Sequence, residues 1–437
     1  MQMLAKEIRM VDKPSLSEVE NAFQPAKEVT AVVRFAGRKM EVEDGYYGLL
    51  GDGVNIAIVG NRGVGKTSLS RQLEIAASGD DGLLDHLGIN HDRPLDFLPV
   101  YFACGNRVTD FGDLLERLLT TSNCLGDWIY DIPGAKKEVV SYAPEIGAKL
   151  FGIEAKLGGE KATEQESRPA VNNHSIDTVF TNVCHAIVEE GIAKDGLFII
   201  VDEFDQINDP SGMAGFMKSL ATNVPKAKFC LVGVAQDIQN LMKEHESVDR
   251  LFSGSIIRVH PMQPEELREI IRIAENEIDG FITFDDEATD ILVSLAQGHP
   301  YMVHLIGKYA FRSAYQKGVK VIDRAAVQET LKSIAERGAD PVLEGRYKKA
   351  VGSSRQRESV LRALAQVRGE DGECWTTDAY KIALEDEVDN ASQFVGHLVA
   401  DDYGSELEKV RERYYRFKDS LFATYVLARP RLYPPVG

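Results

Sequence analysis

The residues with the plainest chemistry lie in "IAIVGNRGVGKTSLS", where Gly60 and Gly65 bracket four residues and Lys66 and Thr67 follow at once. Small residues at that spacing let successive backbone N–H groups curl around an anion, and the start of a following helix adds partial positive charge. A lysine there neutralises phosphate charge, and a threonine hydroxyl is a hard oxygen ligand for Mg2+. The run Gly60, Asn61, Arg62, Gly63, Val64, Gly65, Lys66, Thr67 and Ser68 is therefore expected to wrap the phosphates of ATP, with Lys66 on the β- and γ-phosphates.

A second stretch, "GLFIIVDEFDQIND", pairs with the first. Leu197 to Val201 read as a buried strand, and Asp202 at its end is placed to hold a water of the Mg2+ shell. Glu203, one residue on, is expected on the other side of the pleat, where a carboxylate orients and deprotonates an attacking water. Asp205 and Asp209 read as caps of the next turn rather than metal ligands.

These groups need rigid elements, and the chain supplies them. Short apolar runs, "VNIAIVG", "LPVYFA", "GLFIIVDE", "AKFCLVGV" and "GSIIRVH", alternate with helical stretches from about 35 to 260. That alternation predicts an α/β fold, a P-loop NTPase parallel sheet core. Residues 1–34 read as a polar leader. Residues 123–172 break the alternation as an insertion, and "IGAKLFGIEAKLGGEKATEQESRPAVNN" holds no single helical face, so a β-hairpin with a polar tail is expected there. From 261 to 340 the pattern is helical throughout, a lid bundle opened by "PEELREIIRIAENEI" with Pro at the first helical position. Residues 341–437 hold three short helices and a two-stranded wing, the order of a winged-helix domain.

Composition narrows the function classes. With 27% charged residues and no long apolar run the chain is expected to be cytoplasmic, with no membrane span. Its N-terminal stretch lacks the apolar core of a signal peptide. The five cysteines are scattered without a CxxC pair, which predicts reduced thiols. A formal charge of -18 repels nucleic acid as a whole, so DNA contact would need a local basic patch. Residues 355–431 carry twelve Lys and Arg against fifteen Asp and Glu, and the helix "NASQFVGHLVADD", which a DNA reader would use, has no Lys or Arg. Only the wing, with Lys409, Arg411, Arg413 and Arg416, is basic. Nucleic acid is possible on these grounds but not favoured.

From about 35 to 430 the chain resembles the additional-strand P-loop ATPases called AAA+. Within them it is similar to the branch shared by origin-recognition initiators and STAND signal-transduction ATPases. "RFAGRKMEVE" matches the Phe-x-Gly-Arg entry motif of that branch, which implies Phe35 and Arg38 near the adenine. At the tip of "FCLVGVAQDIQNLM" the resemblance implies that Gln236 senses the γ-phosphate; the alternative is a helix-start residue without a ligand. Arg250 matches the place of an arginine finger acting on a neighbouring subunit's ATP, or else is a surface arginine paired with Glu246 or Asp249. "GHPYMV" departs from the arginine-bearing lid of ring motors and agrees with the Gly-x-Pro of STAND proteins, which implies that Pro300 packs on the adenine; the alternative is a plain helix-start proline.

The resemblance implies an ATP-binding and hydrolysing switch that acts through a homo-oligomer or a separate effector or sensor protein. Two other readings stay open: a DNA-binding initiator or transposition-regulator-like ATPase, and a nucleotide-binding scaffold with little hydrolysis.

Overall fold

The apolar runs fold into one parallel sheet because each is long enough for a strand and mainly apolar. The computed structural model describes residues 13–105, 108–142, 175–234, 252, 254–369 and 372–433. Its strands β1 (Ile56–Gly60), β2 (Phe97–Ala103), β3 (Gly196–Asp202), β4 (Ala227–Gly233) and β5 (Ile256–Val259) lie in the order β2-β3-β4-β1-β5. Every neighbouring pair is parallel. All residues of β3 and β4 are buried, as both-face coverage by helices demands. The parallel direction brings the carboxyl ends of β1, β3 and β4 to one edge, where α/β sheets bind their ligands.

The helix Lys66–Ala77 follows the loop after β1 and packs on the sheet through Leu69, Leu73 and Ala77. In the insertion, Leu125–Asp131 and Pro133–Tyr142 are helices that pack with the helix Ile176–Glu190. The hairpin expected in "IGAKLFGIEAKLGGEKATEQESRPAVNN" lies outside the described residues.

The lid contains the helices Pro264–Asn276, Asp286–Ala296, Pro300–Lys317 and Arg324–Arg337, with a short parallel pair, β6 (Thr283–Phe284) and β7 (Val321–Ile322), at one end. The polar leader is part of this unit. Its helix Leu16–Ala22, started by a Ser15–Glu18 capping box, places Val19, Ala22 and Phe23 in the lid core. Phe23 meets Phe311 edge-on at 4.9 Å, and its ring lies where a Cβ on Gly307 would be 2.7 Å away, so that helix position must be glycine.

Beyond the lid come the helices Pro341–Val351, Arg355–Gln366, Thr376–Glu385 and Ala391–Val399. An antiparallel sheet follows in the order β8 (Glu373–Trp375), β10 (Tyr414–Phe417), β9 (Leu407–Arg411), one strand more than the expected pair. The last helix, Ser420–Ala428, is apolar on nearly all sides and buried accordingly. Through it, leader, lid and C-terminal residues share one hydrophobic core. All five cysteines are buried, and none is in a disulfide. No described helix is long and apolar enough to cross a membrane.

Candidate nucleotide site

Gly60 ends β1 so close to β5 that an added Cβ would stand 2.6 Å from the Val259 carbonyl oxygen. The loop then turns through Gly63 (φ +73°) and Gly65 (φ +98°), backbone conformations that favour glycine, and Gly65 starts the Lys66–Ala77 helix. Lys66 Nζ donates to the carbonyl oxygens of Gly60 at 3.0 Å and Asn61 at 2.9 Å. Burial lowers the Lys66 pKa, while Asp205 and Asp202 pull it back up. Thr67 lines the same hollow. The Ser68 hydroxyl accepts the Val29 N–H at 3.0 Å and so fastens the leader to the phosphate loop.

Asp202 is buried at the end of β3. Its carboxylate accepts the Tyr101 hydroxyl at 2.5 Å and the Glu203 N–H at 2.7 Å, which fixes its orientation. Glu203 does not continue the pleat as the strand pattern suggested. It turns out of the strand in the left-handed region at φ +54°, a conformation worth roughly 1 kcal/mol or more of strain and common at functional sites. Burial, with Asp202 and Asp205 adding their charge, raises the Glu203 pKa and makes it a better proton acceptor. Asp209 caps its turn as expected, accepting the Ser211 N–H at 3.0 Å. Asp205, by contrast, lines the hollow.

The walls come from three parts of the chain and enclose a cavity of about 720 Å³, within the range of small-molecule sites. Phe35 is buried and lines it. Arg38 lines it too, with its guanidinium committed to the Val64 carbonyl at 2.9 Å and to Glu41 at 2.8 Å, so it braces the phosphate loop from behind. The Gly37 and Arg38 N–H groups donate to Glu269 and Glu266 of the lid's first helix, joining sheet and lid at this turn. Pro300 opens its helix with Cγ 4.0 Å from where a Gly65 Cβ would stand. His299 before it is buried and bonded to the Arg62 backbone, and burial lowers its pKa to about 4. Gln236 and Arg250 lie outside the described residues.

The C-terminal wall was not foreseen. Val342, Arg346, Lys418, Asp419 and Ser420 line the cavity. A Cβ on Gly63 would stand 3.1 Å from Leu421 and 3.4 Å from Tyr301 Cβ, so the last helix and the lid both rest on the phosphate loop. Arg346 pairs with Glu406 at 2.5 Å and Asp419 at 2.6 Å, which holds that wall together. The return of residues 418–421 to residue 63 was not legible in the sequence.

The oxygen donors Thr67 and Asp202 suit Mg2+, which keeps waters and leans on substrate phosphates. Among the described residues no group of three or more His, Cys, Asp or Glu stands together as a metal cluster. On the wing, Arg411 and Arg416 pair with Glu373 at 2.8 and 3.3 Å, which offsets part of its positive charge.

No family model matches the chain, and no curated protein sequence matches it. Among solved structures the chain is similar to the Walker-type ATPase of Pyrococcus abyssi, at 14% identity with a TM-score of 0.52, over 92% of this chain and 98% of that one. It is also similar to the ORC2 protein of Aeropyrum pernix (13% identity, TM-score 0.46, 95% and 96% covered) and to Cdc6p of Pyrobaculum aerophilum (13%, 0.44, 93% and 97%). With the sheet order and the loop after β1, the first of these likenesses establishes the fold: a P-loop α/β architecture.

Proposed function

We propose that the chain is an ATP-binding and hydrolysing switch of the AAA+ type, similar to STAND and origin-recognition ATPases, in which a C-terminal winged helix reports the state of the nucleotide. One observation carries this reading: sheet, lid and C-terminal unit all contribute walls to a single cavity at the phosphate loop. A ligand that bridges three units biases their arrangement by its differential contacts, which is the physical content of a switch.

The loop N–H groups and Lys66 bind the β- and γ-phosphates, and Arg62 adds charge at the same end. Thr67 and Asp202 would hold Mg2+, which neutralises phosphate charge when bound. Glu203, with its raised pKa, orients a water and takes its proton as the water attacks the γ-phosphate. Gln236 is the candidate γ-phosphate sensor and Arg250 the candidate finger acting on a second copy. Oligomer formation, or contact with a separate effector or sensor, is then part of the cycle. Loss of the γ-phosphate weakens the bridge and frees the C-terminal unit to move.

A second reading rests on the wing. Trp375 is exposed and stacked on Tyr414 at 6.4 Å, Arg411 lies over Tyr414 at 3.9 Å, and Lys409 and Arg413 stand on the same hairpin. That face suits a DNA backbone, as an initiator-like ATPase would need. Phosphate release and duplex-DNA filter binding, each with and without ATP at two salt concentrations, separate the readings. ATP turnover without salt-sensitive DNA binding supports the switch; steeply salt-dependent, ATP-stimulated binding supports the DNA machine. Absence of ATP turnover in the presence of Mg2+ would remove both and leave a nucleotide-binding scaffold.

A further inference from the structure

Besides the phosphate loop, the cavity has walls from the leader and from the helices after the sheet. Phe35, Met262 and Ile270 supply apolar surface there, and Gln24, Lys27, Glu28 and Arg34 add polar and charged groups. A smaller hollow of about 170 Å³ opens beside it. His304, one turn into the Pro300–Lys317 helix, lines both.

The imidazole is held in one state. Its Nδ1 lies 3.3 Å from the Gln24 backbone nitrogen and accepts that N–H, which in a neutral ring places the proton on Nε2. Burial, helped by the nearby Arg34 charge, lowers the His304 pKa to about 4, so the ring is neutral at physiological pH. Phe23 stands edge-on to it at 6.0 Å and limits its tilt. Among the described residues Nε2 has no hydrogen-bond partner, and it is not one of the buried atoms sealed away without one. The open edge of the ring is therefore a donor of set tautomer beside the apolar side chains of Phe35, Met262 and Ile270.

We infer that His304 reads the nucleobase: its Nε2–H donates to a ring-nitrogen acceptor of the adenine of ATP, with the Gln24 N–H setting the tautomer that makes this possible. The inference rests on the nucleotide reading of the cavity and adds to it the residue that recognises the base. A placed polar group beside apolar walls is how ligand sites fix orientation. A donor left unpaired beside them is penalised, so a ligand offering an acceptor there gains over one that does not.

Phosphate affinity does not depend on this contact, which makes it separable. We would measure binding of ATP and of inorganic tripolyphosphate, which has no base, to the full chain by calorimetry, with melting curves on the same samples. His304→Asn keeps an acceptor for the Gln24 N–H but cannot reach the cavity as a donor. It should lose about three- to tenfold in ATP affinity with tripolyphosphate binding unchanged, while His304→Gln, whose amide reaches the Nε2 position, should stay within about twofold of wild type. Unchanged ATP affinity in His304→Asn overturns the inference. So does a parallel loss of ATP and tripolyphosphate, which marks a packing role. Should His304→Asn not fold, His304→Gln against His304→Met makes the same comparison, and equal ATP affinities overturn it. A wild-type chain that binds neither ligand would instead remove the nucleotide reading itself.

Discussion

Arg368 is one polar link between the C-terminal unit and the lid, and its removal tests whether that link controls the nucleotide. The guanidinium donates to Gln297 Oε1 at 2.6 Å, to the Ser420 carbonyl at 2.8 Å and to Thr424 Oγ1 at 3.3 Å. Gln297 ends the lid helix Asp286–Ala296; the other two acceptors belong to the C-terminal unit itself. Only the Gln297 bond crosses between units, and a hydrogen bond from a charged donor is worth about 1.5–2 kcal/mol net. Arg368→Ala should therefore lower the ratio of closed to open arrangements about 10- to 30-fold. If ATP leaves from the open arrangement, its off-rate rises by that factor. Stopped-flow chase of a fluorescent ATP analogue reads this directly. Gln297→Gly removes the same bond while relieving the left-handed backbone at φ +44°, so it should speed release with little loss of melting temperature. The double variant should release ATP no faster than the single ones, because both delete one interaction. Off-rates equal to wild type in both single variants, with only the melting temperature lowered in Arg368→Ala, would refute the coupling.

Pro300→Ala should speed ATP release several-fold at an unchanged rate of bond cleavage, because the ring leans on the phosphate loop while the first helical position tolerates alanine; equal off-rates would remove the latch role. Stability should also fall in mild acid. Burial holds both His299 and His304 near pKa 4, below the ordinary histidine value, so as pH drops the unfolded chain takes up protons first. Their contribution is complete above about pH 6.5 and is lost progressively between there and pH 4. Urea midpoints at pH 7.5 and 5.5 should differ less for His304→Asn than for wild type; parallel shifts would contradict this assignment.

The sheet and the phosphate loop were legible in sequence because each depends on local pattern: apolar runs of strand length, and glycines where φ must be positive. Asp202 was equally legible at the end of such a run. The direction of Glu203 was not, because a strand pattern cannot show that the residue after it turns left-handed. The leader looked polar because Val19, Ala22 and Phe23 become a core only against the lid helices. Arg346 and Lys418–Ser420 escaped notice for a related reason. Their place beside residue 63 is set by the packing of a helix more than three hundred residues later, and no short spacing records it. Arg38 shows what resemblance leaves out: the motif put it at the site, whose cavity it lines, and only the structure shows its guanidinium bonded to Val64 and Glu41.

The central claim, that this cavity binds ATP and Glu203 drives its cleavage, is tested most directly by single-turnover phosphate release from wild type and Glu203→Gln loaded with ATP and Mg2+. Loss of a general base typically costs on the order of a hundredfold or more in rate while leaving phosphate binding intact. Wild type should release phosphate, and Glu203→Gln should retain uncleaved ATP with an affinity close to wild type. Equal phosphate release from the two proteins, or wild type holding uncleaved ATP for hours, would contradict the account.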